Sequence, residues 1–199
     1  MTNERRRLLD ERHALKASSS ITDADQRKLK RMLSAPFADN QILYRVGSKG
    51  RDNTAMMLAY LDARMVHMRL DQAVGPFSWE NEVSIQGSAY VSRVTLHLPS
   101  GQVITRSDGA DGSQVEAIKG GISDAFKRTG VLFGIGSYLY RMPNIFVPMK
   151  QNGKYPTDEG IAMLRKAHAN LAVQYNAYLD QHFGEIDADT KTMLANPDG

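Results

Sequence analysis

The sequence predicts an α+β fold in which a three-stranded antiparallel meander packs on one long helix, a β-β-β-α core. Two observations carry this. Three segments between Trp79 and Ser107 are extended, two of them with period-two alternation, and they are separated by short turn signals. The segment behind them, 113–133, repeats its apolar residues at helical spacing. A sheet with one apolar face needs a cover, and the next amphipathic helix supplies it.

The elements follow in order. Residues 1–34 form a charged helical arm with nine basic and five acidic residues, broken at Ser18-Ser19-Ser20, its second helix opening at Thr22 or Asp23. Such an arm is either a solvated extension or a subunit contact. Ala35-Pro36-Phe37 opens a core domain, 35–150. A short strand is expected at 41–46, then a basic glycine-bearing loop from Arg45 to Asn53. Asn53 or Thr54 caps a helix expected to run to Val74, with Leu58, Leu61, Met65 and Met68 at helical spacing and Gly75-Pro76 ending it.

In the meander, Trp79–Gln86 alternates strictly and Gly87-Ser88 fits a two-residue turn. The second strand, 89–98, places Tyr90, Ser92, Val94, Leu96 and Leu98 on one face, and Pro99-Ser100-Gly101 leads to the third, 102–107. Ser113 and Glu116 form a capping box. The stripe Val115, Ile118, Ile122, Ala125, Phe126, Thr129, Leu132 and Phe133 follows, stopped at Gly134. An irregular stretch leads to a C-terminal helix from Thr157 to His182, with a polar, frayed tail completing a C-terminal segment 151–199.

Composition narrows the function. With no cysteine, disulfides, thiolate metal sites and a cysteine nucleophile are set aside, and a reducing, cytoplasmic setting is expected. No apolar run approaches the roughly 18 residues of a membrane span, and Met1–Asp10 lacks a signal-peptide core. The net charge of +3 is compatible with nucleic acid without arguing for it.

The distribution of charge says more. On a wheel of about 100° per residue, the apolar stripe of 113–133 lies opposite Gly120, and Lys127 falls about 20° from that glycine. Ser123 and Asp124 flank Lys127, with Lys119 and Arg128 at the margins. The exposed face is therefore small and polar with a lysine at its centre. Gly120 and Gly121 each cost the helix roughly 1 kcal/mol against alanine, which a close approach by a strand, a neighbouring subunit or a phosphate backbone would offset. The same pattern also describes a plain solvated face.

Two segments resolve the choice by resemblance. Ala59–Trp79 and Glu116–Tyr140 resemble the two signatures of the Rad52/Rad22 superfamily of single-strand annealing proteins. The ending Phe-Gly-Ile-Gly-Ser-Tyr-Leu-Tyr140 is similar to its compact DdrA-like branch. The resemblance covers roughly 35–145. It implies a ring- or helix-forming homo-oligomer that binds single-stranded DNA in an external basic groove, acting without ATP in repair and recombination. It places Lys127 and Arg128 in the groove, with Arg45 the best match on the opposite wall. Lys49 and Arg51, in the same loop, are weaker DNA-binding candidates, and Lys119 is a further one from its place at the margin of the helix face. The family often has another basic residue one turn on, where this chain has Val131. A nucleoid-associated place in a bacterial or phage-infected cell follows. The eukaryotic relatives' recombinase-engaging tail finds no counterpart.

Tyr44, beside Arg45, is the aromatic to watch for base stacking, although core packing or a subunit contact is the stronger reading; Trp79 reads as core, and Tyr138 and Tyr140 as packed under the sheet or at a protomer boundary. No catalytic residue, metal site or cofactor is expected. Asp108-Gly-Ala-Asp111, with Glu116 and Lys119, gives a remote Mg²⁺-nuclease alternative, but the Asp-Gly pairs suit a turn and Glu116 a cap. The nearer rival is a protein that protects DNA ends without annealing. No Walker loop, dinucleotide fingerprint or paired histidine spacing is present.

Overall fold

Alternation dictates the meander. Strands β3 (Trp79–Gln86), β4 (Ala89–His97) and β5 (Val103–Asp111) pair antiparallel, in register from Trp79↔Leu96 to Gln86↔Ala89 and from Ala89↔Asp111 to His97↔Val103. Ser92, Val94 and Leu96 of β4 are fully buried, on the face that the sequence assigns to the core. The computed structural model describes residues 22–111, 117–151 and 153–195. The capping box at Ser113 and Glu116 lies outside them. One correction concerns β5: Asp108–Asp111, expected as a turn, extends the strand and pairs with Ala89–Ser92. The ladder outweighs the local turn preference of Asp-Gly.

Helix α3 (Ala117–Phe133) covers β4 and β5, and its buried residues are Gly121, Ala125, Phe126, Thr129, Gly130 and Phe133. Ile118 and Leu132, placed on the stripe by spacing, are exposed instead; the first lies in the opening turn and the second on the margin of the buried arc. Both glycines within that arc are explained by close approach. A Cβ on Gly121 would stand 2.3 Å from the ring of Tyr90 on β4, and one on Gly130 would stand 2.7 Å from Val66 Cγ1. The Thr129 hydroxyl lies 3.0 Å from the Ser92 carbonyl and accepts from Asp108 N at 3.2 Å, fixing helix to sheet.

The segment expected as one helix, 54–74, is two elements. Strand β1 (Leu43–Lys49) and strand β2 (Thr54–Tyr60) form a hairpin, and α2 (Ala63–Val74) begins only after Asp62, whose carboxylate caps Arg64 N at 2.9 Å. Asp52 and Asn53 both take positive φ, 52° and 53°, the left-handed pair that a tight hairpin connection uses. Asn53 Nδ2 then donates to Met149 O at 2.6 Å. Within the stretch read as irregular, β6 (Phe146–Pro148) adds to β2, so the second sheet runs β1-β2-β6.

Helical packing closes the interior. Helix α1 (Asp23–Ser34), capped by Thr22, lies in the segment the sequence assigns to the arm; its C-terminal end is buried. Arg31, 2% exposed, bonds Asp180 at 2.8 Å on α4 (Asp158–Phe183), the expected C-terminal helix capped by Thr157. Arg69 of α2 is fully buried, donates to the carbonyls of Met32 and Ala35 at 2.9 and 2.8 Å, and lies over the Phe37 ring. Burial lowers its guanidinium to about 10. The tail expected to fray instead forms α5 (Ala188–Ala195), and Leu194 and Ile186 bury against Ala35.

A polar chain crosses the core. The buried Tyr138 hydroxyl accepts from Phe37 N at 3.1 Å and meets His168 Nε2 at 2.8 Å. The other ring nitrogen of His168 faces Asp39 at 3.4 Å. Asp39 also pairs with Arg165 at 3.1 Å. Burial pushes Tyr138 up and His168 down. Trp79 is half-buried, stacked 6.0 Å from Phe126 and bonded to Asp71 at 2.7 Å.

Candidate nucleic-acid interface

An open groove of about 1150 Å³ runs along the seam between the hairpin sheet and the body formed by β5 and α3. Strand alternation builds one wall. On β1, Tyr44 and Val46 face the core, so Arg45 faces outward. On β2, Ala55 and Met57 are buried, which turns Leu58 and Tyr60 to the side of Arg45; Arg45 and Leu58 are cross-strand partners. Helix α3 builds the other wall with Lys127, Arg128 and Val131. Three cations expected from sequence, Arg45, Lys127 and Arg128, thus converge from two elements that share no hydrogen-bonded ladder.

Their surroundings differ from expectation in one respect. Lys127, expected at the centre of an open face, is recessed at 28% exposure because the hairpin stands opposite it. Its ammonium lies 5.7 Å over the Tyr60 ring and 2.7 Å from Asp124 Oδ1. Arg128 is more open and turns to the sheet, with its guanidinium 3.1 Å from Asp108 Oδ1. That carboxylate also accepts from Gly109 N at 2.7 Å. Lys49 and Arg51 at the hairpin tip and Lys119 at the start of α3 are exposed and do not line the groove.

The aromatics are redistributed. Tyr44 packs into the core and burial pushes its phenol up to about 12, so its ring is not offered to a ligand. Tyr138 is buried, whereas Tyr140 is 77% exposed at the groove. Tyr60 escapes the sequence reading because that reading places it inside a helix. As part of a strand, its alternation with Leu58 reveals it. Asp108 and Asp111, weighed above as metal ligands, stand three residues apart on β5; among the described residues no three metal-type ligands come together.

The groove therefore offers two kinds of contact at once: cations at its walls, and tyrosine rings and aliphatic side chains beneath. Phosphates take the first, regardless of sequence, and flat heteroaromatic rings take the second. Among the described residues no helix is long and apolar enough to cross a membrane.

Comparison with known proteins agrees with the resemblance. Residues 25–157 match the family model described as Rad52/22 family double-strand break repair protein. A single-stranded DNA-binding protein DdrA of Deinococcus deserti is 35% identical over 130 residues, 64% of this chain and 64% of its own length. The Deinococcus radiodurans protein of the same name is 36% identical over 118 residues, 58% of this chain and 56% of its own. The chain thus spans less than two thirds of the length of either relative.

Proposed function

The chain belongs to the Rad52/22 family of double-strand break repair proteins, and from that premise we propose that its groove holds single-stranded DNA and presents it for annealing. One observation carries the reading: Arg45 meets Lys127 and Arg128 across a single groove, although 82 residues separate the first two in sequence (127 minus 45). In this reading the three side chains bind the sugar–phosphate chain, while Tyr60 and Tyr140 support bases without selecting among them. Lys49, Arg51 and Lys119 lie outside the groove and act as a peripheral attraction for the strand.

Two or three phosphate contacts give one subunit a weak hold. Repetition of the groove along a self-assembled ring or helix converts this to a strong one through effective concentration, without nucleotide hydrolysis. Binding through phosphate contacts and unselective base stacking suits a protein that must accept any strand. It belongs to repair and recombination at the DNA of a bacterial or phage-infected cell.

Fluorescent oligonucleotide titrations across salt concentrations test this. Each phosphate contact on a single strand contributes about 0.7 to the slope of log affinity against log salt. Lys127→Ala should weaken binding to every sequence and lower that slope; an unchanged affinity and slope in an intact assembly refutes the assignment. A second reading is end protection without annealing, since the name of the two relatives speaks of single-stranded DNA binding and not of annealing. Mixing complementary oligonucleotides with the protein separates the two. Faster duplex formation supports annealing, and binding without acceleration supports protection.

A further inference from the structure

Lys127 reaches the groove with an anion already on it. Its ammonium lies 2.7 Å from Asp124 Oδ1, one turn back on the same helix. The two carboxylates that pair with groove cations are unlike each other. Asp108, which holds Arg128, is 27% exposed and tied to the sheet through Gly109 N. Asp124 is 54% exposed, and among the described residues its carboxylate has no partner but Lys127. The first is fixed by the strand that bears it. The second is free to leave.

A phosphate oxygen approaching Lys127 therefore meets an ammonium with one N–H donor and part of its charge already committed to a carboxylate. Carboxylate and phosphate make the same charge-assisted contact with it. A half-exposed pair within one helix is weak enough to exchange rather than exclude. We propose that Asp124 is a resident competitor for the strand: it holds Lys127 in the groove and surrenders it to a backbone phosphate, limiting the grip of each subunit. This inference rests on the groove's binding single-stranded DNA, as proposed above.

The exchange has a recognisable signature. When a bare lysine binds a phosphate, the condensed counterion is released and no new charge appears. When Lys127 changes partner, the freed Asp124 carboxylate gathers a cation of its own. Fewer ions are released in total, and the salt dependence per contact is shallower. A hold that is small at each subunit lets a strand detach and move stepwise while the assembly as a whole retains it.

The test uses the full chain and a labelled oligothymidylate, with affinity measured across salt for wild type, Asp124→Asn, Asp124→Ser, Asp124→Glu, Lys127→Ala and the double variant Lys127→Ala/Asp124→Asn. Asp124→Asn should tighten binding by roughly two- to five-fold, the range of one exposed ion pair, and steepen the salt dependence. Asp124→Ser, neutral but different in shape, should shift both in the same direction, and Asp124→Glu should bring them back toward wild type. In the Lys127→Ala background the gain should vanish. The inference is overturned if both neutral variants bind no more tightly than wild type, which would make Asp124 a helper that orients the lysine. It is also overturned if the gain persists undiminished without Lys127, because a general change of field would then explain it. Failure of the groove reading looks different: wild type would not bind the oligonucleotide, or Lys127→Ala would bind as wild type does, and this inference would fall with it.

Discussion

Replacing Gly130 by alanine probes how α3, which carries Lys127 and Arg128, is seated. A Cβ there would stand 2.7 Å from Val66 Cγ1 and 3.5 Å from Cγ2. Carbon atoms prefer about 3.5–4.0 Å, so close to an ångström must be found by separating α2 from α3 or by turning Val66. Val66 is 1% exposed, and a β-branched residue in a helix has one strongly preferred rotamer. Overpacking of this kind costs about 1–3 kcal/mol, against which alanine's helix propensity returns about 1 kcal/mol. The expected net loss is about 1 kcal/mol. A second background makes so small a number decisive. Val66→Ala alone removes two methyl-sized groups, about 1.6 kcal/mol at about 0.8 each before any cavity penalty. The methyl introduced at position 130 fits the vacated space, so there Gly130→Ala should stabilise by about 1 kcal/mol, giving a coupling of about 2 kcal/mol. Urea unfolding at fixed protein concentration reads all four proteins through Trp79, the sole tryptophan, which stacks on Phe126 of α3. If Gly130→Ala stabilises the parent protein, or shows no coupling to position 66, the close helix approach is not what requires the glycine.

Three further outcomes are expected. Burial holds the His168 imidazole below its ordinary 6.5, with Asp39 opposing, so the unfolded chain takes up a proton first on acidification. Stability should be flat above about pH 6.5 and fall below it, toward a limiting slope of about 1.4 kcal/mol per pH unit; His168→Gln should flatten that slope in denaturation series. Asn53→Ala should lose about 2–3 kcal/mol in urea midpoint comparisons, from the positive φ and the bond to Met149 O, whereas Asn53→Gly, which keeps the conformation, should lose about 1 kcal/mol. Tyr60→Ala should weaken oligonucleotide binding by about 1–3 kcal/mol with little change in salt slope, since a lost stacking surface releases no counterion; Tyr60→Trp should retain binding in the same titration.

What could be read from the sequence depended on whether one period acted alone. Trp79–Gln86 and Ala89–Leu98 alternate without interference, and their pairing follows the expected register. The long helices α3 and α4 were equally plain, since Thr157 caps a run far longer than any strand. The hairpin was hidden because two periods overlap. Leu58 and Leu61 of 54–61 continue at helical spacing into Met65 and Met68, so the strand borrowed the phase of the helix behind it. Asp52-Asn53 and the capping residue Asp62 were the local signs of a turn and a second start. The consequence reached the site: with 54–60 taken as helix, nothing stood across from Lys127, and it was expected on an open face instead of in a groove with Tyr60 opposite it. Arg45 was found by resemblance, and its pairing with Leu58 gives the physical reason for its direction. Asp124 was visible beside Lys127 on the same helix face, whereas the pair of Arg128 to Asp108 was not, because it needs β5 to run past the apparent turn.

Two separate ladders, β1-β2-β6 and β3-β4-β5, bound the groove from either side. A crevice walled by independently hydrogen-bonded shells takes its gauge from the buried side chains on its floor, and Leu61, Ile135 and Leu139 both line it and belong to the core. Trimming one of those side chains would reset the spacing of opposing cations while leaving each ladder's internal register unaltered. Calibre and scaffold are thus separable here, and mutations could tune the one without dismantling the other.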